Sequence, residues 1–143
     1  SLSKHYDELL LTLRASSDRD EDYDIIALSE TWINKENLKL FPIQNYEAYL
    51  AARNDKRKSG GVIFYVRKDL KVVQSEILDI QGANLLKLKI ECLSMRNSSD
   101  INNELAIYLI YRDCTSPKQQ FVENLERIIQ NENLKNSIFI LEI

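Results

Sequence analysis

The sequence is poor in the residues that punctuate, staple or anchor a chain. Three glycines and two prolines in 143 residues exclude collagenous and low-complexity architectures. The two cysteines, Cys92 and Cys114, have neither paired spacing nor a nearby histidine. That excludes a disulfide framework and a zinc site, gives both a structural role, and suits an intracellular compartment, cytoplasmic or nuclear. The one histidine, His5, stands far in sequence from any other group with catalytic potential, so a surface role is expected. No apolar run approaches the roughly 18 to 20 residues needed to span a bilayer, and the first residues lack the order of a secretory signal. A membrane partner is therefore not expected. Charge is also nearly balanced: a net charge of -3 rules out a general nucleic-acid binder.

What is present is 44% hydrophobic and 29% charged residues, the composition of a folding globular chain. Its length predicts a single domain over residues 1–143. The opening SKHYDELLLTLR sets Tyr6, Leu9, Leu10 and Leu13 on one helical face, with Ser3 available as N-cap. YDIIAL is a short β-branched run that predicts a strand buried on both faces. NKENLKL predicts a helical turn or two, closed at Phe41-Pro42. YEAYLAA, GGVIFYVR, LKVVQ and NLLKLKIECL then follow as a meander. Leu86, Leu88 and Ile90 alternate there with Lys87, Lys89 and Glu91, the period of a half-exposed strand. ELAIYLIY is another strand. Ser116-Pro117-Lys118-Gln119 reads as a capping box opening a helix whose inward face is Phe121, Leu125 and Ile128 or Ile129. SIFILEI is the last strand. This order predicts an α/β chain with a mixed sheet and helices on one face.

Four blocks carry a family resemblance by their order and spacing: DIIALSETWI, KSGGVIFYVRKDL, LAIYLIYRDCTSP and NSIFILEI. Together they resemble the endonuclease/exonuclease/phosphatase family, most closely the endonuclease domains of non-LTR retrotransposons. The resemblance implies a DNase I-like αββα sandwich, of which this chain is the first half, and an ancestral metal-dependent cleavage of phosphate esters. It implies that Glu30 matches a metal-binding glutamate, through which magnesium could be held, because a hard cation takes carboxylate oxygens. From the residues alone, Glu30 could equally open a turn capped by Ser29 or Thr31. Tyr111 matches a tyrosine that orients the scissile phosphate, although Asp113-Cys114 stand where the family favours prolines. Trp32 is expected to pack on the first helix. Gly60-Gly61 open a strand behind a loop bearing Arg53, Lys56, Arg57 and Lys58, whose charge suits phosphate contact or simple solvation.

The same resemblance implies losses at both ends. The family's site also uses an asparagine on an earlier strand, an Asp-x-Asn pair and a late Asp-His pair. Here Glu142 and Ile143 occupy the glycine and aspartate positions of the pair, and the other positions lie beyond the sequence. Acid-base work alone contributes about 10² to 10⁴ in rate, so one carboxylate and one phenol predict a catalytically incomplete binding or assembly module. A chain supplying one sheet of a sandwich leaves an uncovered apolar face. That predicts a homodimer through this face, with another protein, or nucleic acid bound weakly, as further partners. A magnesium-dependent endonuclease completed by a second chain is the alternative.

Overall fold

A computed structural model describes residues 1–19, 21–52, 60–80, 83–92, 104–112, 117–132 and 136–142. The chain forms two compact units, Ser1–Asp69 and Leu70–Ile143. Their strands belong to two separate sheets, where the sequence had pointed to one.

The first unit contains helix α1 (Leu2–Ser17), strands β1 (Ile25–Leu28), β2 (Tyr46–Ala51) and β3 (Val62–Arg67), and a short 3-10 turn at Leu38–Leu40. The antiparallel sheet order is β1-β3-β2. The N-cap of α1 is Ser1, two residues before the expected Ser3, and no side chain caps the helix. Its predicted apolar face is the face that packs: Tyr6, Leu9, Leu10 and Leu13 lie against Leu2, Ile33, Ile43, Ile63 and Tyr65. Tyr6 meets Phe41 edge to face at 5.2 Å and donates its hydroxyl to the Pro42 carbonyl. The Tyr65 hydroxyl donates to the Phe41 carbonyl at 2.8 Å. Burial, with Tyr6 beside it, pushes the Tyr65 phenol up to about 12. These two phenols fix the Phe41-Pro42 corner to the helix and to the sheet.

The strand buried on both faces is β3 and not β1. Val62 to Val66 are all at most 1% exposed, whereas β1 is half-buried throughout. Central position decides this: β3 has a neighbour on each side, and β1 is an edge. A continuous run of apolar residues suits the central place.

The second unit contains β4 (Val72–Ile80), β5 (Ala83–Glu91), β6 (Glu104–Arg112), helix α2 (Lys118–Asn131) and β7 (Ser137–Glu142). Its sheet is mixed, in the order β4-β5-β6-β7, with β7 parallel to β6. Pro117 is the N-cap residue of α2 without a side-chain cap bond; Ser116 of the expected capping box lies outside the described residues. The expected helix face is present, since Phe121, Leu125 and Ile128 pack with Ile80, Leu85, Tyr108, Ile110 and Phe139. Phe139 stacks on Tyr108 at 4.5 Å.

One expectation fails in this unit. Lys87, read as solvent-facing, is buried, because its strand is central and the C-terminal end of α2 lies over it. Its ammonium is 2.5 Å from the Glu132 carboxylate and 5.4 Å from the centre of the Tyr108 ring. Leu86, Leu88, Ile107 and Leu109 lie on the face away from α2 and are buried. Apolar exposure in this sheet falls on the edge strands, at Val73, Ile77, Ile138, Ile140 and Leu141. No helix among the described residues is long and apolar enough to cross a membrane.

Burial alone would raise the Glu132 carboxyl, but the Lys87 hydrogen bond, with the Lys87 and Lys89 charges behind it, outweighs that and holds it below its ordinary value. A carboxylate lowered in the folded state adds stability above its ordinary pKa, and the contribution is lost as pH falls through the folded value. Glu132→Ala therefore leaves a buried ammonium without its anion. It is expected to cost about 2 kcal/mol, less than for a fully buried pair because Glu132 is partly exposed. Urea denaturation at neutral pH checks the cost, and adding Lys87→Met to the same chain should recover most of it. At a pH below the folded value the Glu132→Ala cost should shrink; an unchanged cost there argues against the pair.

Candidate functional site

The end of β1 is where the sequence placed its acid, and the backbone there is unusual. Glu30 and Trp32 both have positive φ, 49° and 59°. For residues carrying a Cβ this conformation costs on the order of 1 kcal/mol each, so other contacts must hold it. They come from the entrance of β3. The Thr31 and Trp32 amides donate to the Gly61 and Gly60 carbonyls at 3.3 and 2.9 Å. The Gly60 amide in turn donates to Glu30 Oε2 at 3.1 Å, and the Trp32 indole N–H donates to the same oxygen. The Leu2 amide donates to the Thr31 carbonyl at 3.0 Å, tying in the start of α1.

Gly60 and Gly61 sit at φ 92° and 86°, conformations that favour glycine. A Cβ on Gly61 would meet Thr31 Oγ1 at 3.0 Å. The pair opens the second strand of the β2-β3 hairpin and also forms a junction with the exit of β1. Thr31 Oγ1 is buried there, with no hydrogen-bond partner among the described residues.

Beside this junction lies an open groove of about 370 Å³ lined by Leu2, His5, Glu8, Leu9, Thr31 and Glu30 among others. His5 Nδ1 is 3.2 Å from the Glu8 carboxylate, one helical turn on. His5 is exposed, as expected, but the fold brings it to the same groove as Glu30. Sequence reasoning missed this neighbourhood; the His5 and Glu8 spacing of three was its only available sign. Trp32 was expected on the first helix and is instead 48% exposed, its indole turned to Glu30.

Tyr111 lies in the second unit, near the end of β6. In register it stands between Asn84 of β5 and Glu142 of β7, which places an amide, a phenol and a carboxylate side by side across the sheet. Facing residues of paired strands share a face, so Glu142 lies on that of Tyr111. Arg53, Lys56, Arg57 and Lys58 lie outside the described residues, as does Cys114.

The fit of magnesium is poor. A carboxylate oxygen is a suitable donor, but Glu30 Oε2 already accepts two hydrogen bonds. Among the described residues there is no group of three His, Cys, Asp or Glu side chains that could hold a metal ion. Such a cation usually needs more than one protein carboxylate or a substrate phosphate, and no chemical step is assigned to it.

No family model matches the sequence, and no curated protein is significantly similar to it. Solved structures are similar in fold. D. rerio TDP2 complexed with a single-strand DNA product aligns at 17% identity with a TM-score of 0.64, over 98% of this chain and 52% of that one. The Xenopus laevis APE2 catalytic domain aligns at 15% identity and 0.55, over 93% and 54%. The human Nocturnin catalytic domain with bound sulfate aligns at 15% and 0.51, over 94% and 56%. The fold is thus DNase I-like, mixed α/β with two sheets, and the chain spans about half the length of these structures.

Two substitutions probe the junction. Gly61→Ala combines an unfavourable φ with a 3.0 Å approach to Thr31 and should destabilise by about 1 to 3 kcal/mol, read as a lower urea midpoint with unchanged slope. Glu30→Ala removes the acceptor of two hydrogen bonds. It should cost about 1.5 to 3 kcal/mol and shift the fluorescence of Trp32, the only tryptophan. An unshifted spectrum would show that the carboxylate does not hold the indole.

Proposed function

We propose that this chain is a binding and assembly module built on the first half of a DNase I-like phosphodiesterase fold, catalytically incomplete by itself and self-associating. The observation that carries the reading is the engagement of Glu30. Its Oε2 accepts hydrogen bonds from Gly60 and from the Trp32 indole, so the strand-end acid serves the junction between β1 and β3. A carboxylate so engaged holds a backbone turn and is not presented as an open ligand. The retrotransposon-endonuclease origin rests on the four sequence blocks. Weak nucleic-acid contact through Arg53, Lys56, Arg57 and Lys58 belongs to the same proposal and rests on their charge.

A second reading is favoured by the row Asn84, Tyr111 and Glu142. An amide, a phenol and a carboxylate at one level of a sheet can position a phosphate ester or an attacking water by hydrogen bonding. In this reading the chain is half of a magnesium-dependent endonuclease whose site a second chain completes.

A plasmid-nicking assay separates the two. Wild type, Glu30→Ala and Tyr111→Phe, each with Mg²⁺ and with a chelator, are expected to give equal background. Metal-dependent nicking by wild type that either substitution reduces about 100-fold or more, the scale of a lost acid-base or positioning group, establishes the enzyme reading and overturns the first.

A further inference from the structure

A second cavity, of about 410 Å³, opens in the first unit at the end of β1 opposite Glu30, and its size is that of a small-molecule site. Leu10 and Leu13 of α1, with Pro42 and Ile43, supply apolar surface. Arg14, Asp22, Tyr23, Gln44, Asn45 and Arg67 supply polar and aromatic groups.

Backbone hydrogen bonds fix the walls. The Tyr46 amide closes a turn on the Ile43 carbonyl at 3.1 Å, with Asn45 in left-handed conformation at φ 67°. The Lys68 amide donates to the Asn45 carbonyl at 2.9 Å, and the Arg67 amide to the Asp24 carbonyl at 3.0 Å. The Tyr46 hydroxyl donates to the Tyr23 carbonyl. Burial, with the Asp22 charge beside it, raises the Tyr46 phenol above its ordinary value and keeps it a donor. The cavity is therefore formed before a ligand arrives, and little ordering opposes binding.

The charges around it nearly cancel. Arg67 is shared by Asp24 at 2.8 Å and Asp69 at 2.6 Å, and Asp22 offsets Arg14. A phosphate finds no surplus of cations here, and three carboxylates oppose it. The side chains of Arg14, Asp22, Gln44 and Asn45 make no hydrogen bond or ion pair among the described residues. Together they offer both kinds of partner, because a guanidinium donates, a carboxylate accepts and each amide does both. Tyr23, 48% exposed, adds an aromatic ring.

We infer that this cavity binds a nucleobase, carried by a free nucleoside or by an unpaired position of a single strand. A base has flat apolar faces and edges that present donors and acceptors side by side. The Tyr23 ring and the aliphatic side chains suit the faces, and Asp22, Gln44, Asn45 and Arg14 suit the edge. Such binding depends on the base and not on phosphate charge, which separates it from contact through Arg53, Lys56, Arg57 and Lys58.

Amide NMR titration of the whole chain with adenosine, guanosine, cytidine and uridine, each alone, tests the proposal. At least one nucleoside is expected to shift the Tyr23, Gln44 and Asn45 amides, with a dissociation constant on the order of 1 mM or below. Tyr23→Ala removes the ring, and Asn45→Gly removes the amide while keeping the left-handed backbone. Each should weaken binding about fivefold or more. The spectra verify folding, and if one variant does not fold the other decides. The matching 5′-monophosphate should bind no more tightly than the nucleoside, and raised salt should change little. A tetranucleotide of the same base identifies the source: tighter binding at the same amides names a single strand, equal or weaker binding a free nucleoside. Three results overturn the assignment: no shift of these amides by any nucleoside or tetranucleotide, affinity that both substitutions leave unchanged, or a monophosphate that binds about tenfold more tightly than its nucleoside.

Discussion

The junction of Glu30, Thr31 and Trp32 with Gly60 and Gly61 is the constraint on which the first unit depends. Two non-glycine residues in left-handed conformation are held there by backbone hydrogen bonds from the exit of β1 to the entrance of β3 and by the bond that the Gly60 amide donates to the Glu30 carboxylate. The absence of a side chain on Gly61 leaves the space that Thr31 Oγ1 occupies. Because Leu2 donates to the Thr31 carbonyl, the same few residues set where α1 begins. They therefore set the wall of the groove that His5 and Glu8 line. Strain is tolerated at such a point only where neighbours over-determine it, and here a helix terminus, two strand ends and a carboxylate all converge.

The second unit is held differently. Its helix packs by an apolar stripe, Phe121, Leu125 and Ile128, onto the sheet, and its last turn is fixed by an ion pair between Glu132 and a lysine on a central strand. Burying an ammonium is tolerated only with its anion in place and with the Tyr108 ring close by. The pair contributes little as bare attraction. Its effect is to disfavour any packing in which the helix end moves off Lys87.

Much of this was legible in the residues. The helical stripe of Tyr6, Leu9, Leu10 and Leu13, the inward face of α2 and the apolar strand runs all appear where periodicity placed them, because local patterns follow from the 3.6 and 2.0 repeats. Burial was less legible. Lys87 alternates with leucines and reads as exposed, yet helix α2, more than thirty residues later in the chain, covers it. The DIIAL run reads as fully buried, yet the central strand is VIFYV, because strand order is a property of pairing and not of composition. Of the candidate site, Glu30 and Tyr111 were identified as types at strand ends. The partners of each, Trp32 and Gly60 for one, Asn84 and Glu142 for the other, were not.

The sequence by itself determined the helices, the strands, the DNase I-like class and the position of an acid at the end of β1, since all of these are written in short windows of hydrophobicity and in the spacing of four blocks. Tertiary structure alone decided that the strands divide between two sheets, that Lys87 is buried, and that the Glu30 carboxylate meets Gly60. Each of those facts joins residues distant along the chain, and which distant partners meet is fixed only when the competing pairings of the whole polypeptide are resolved by packing.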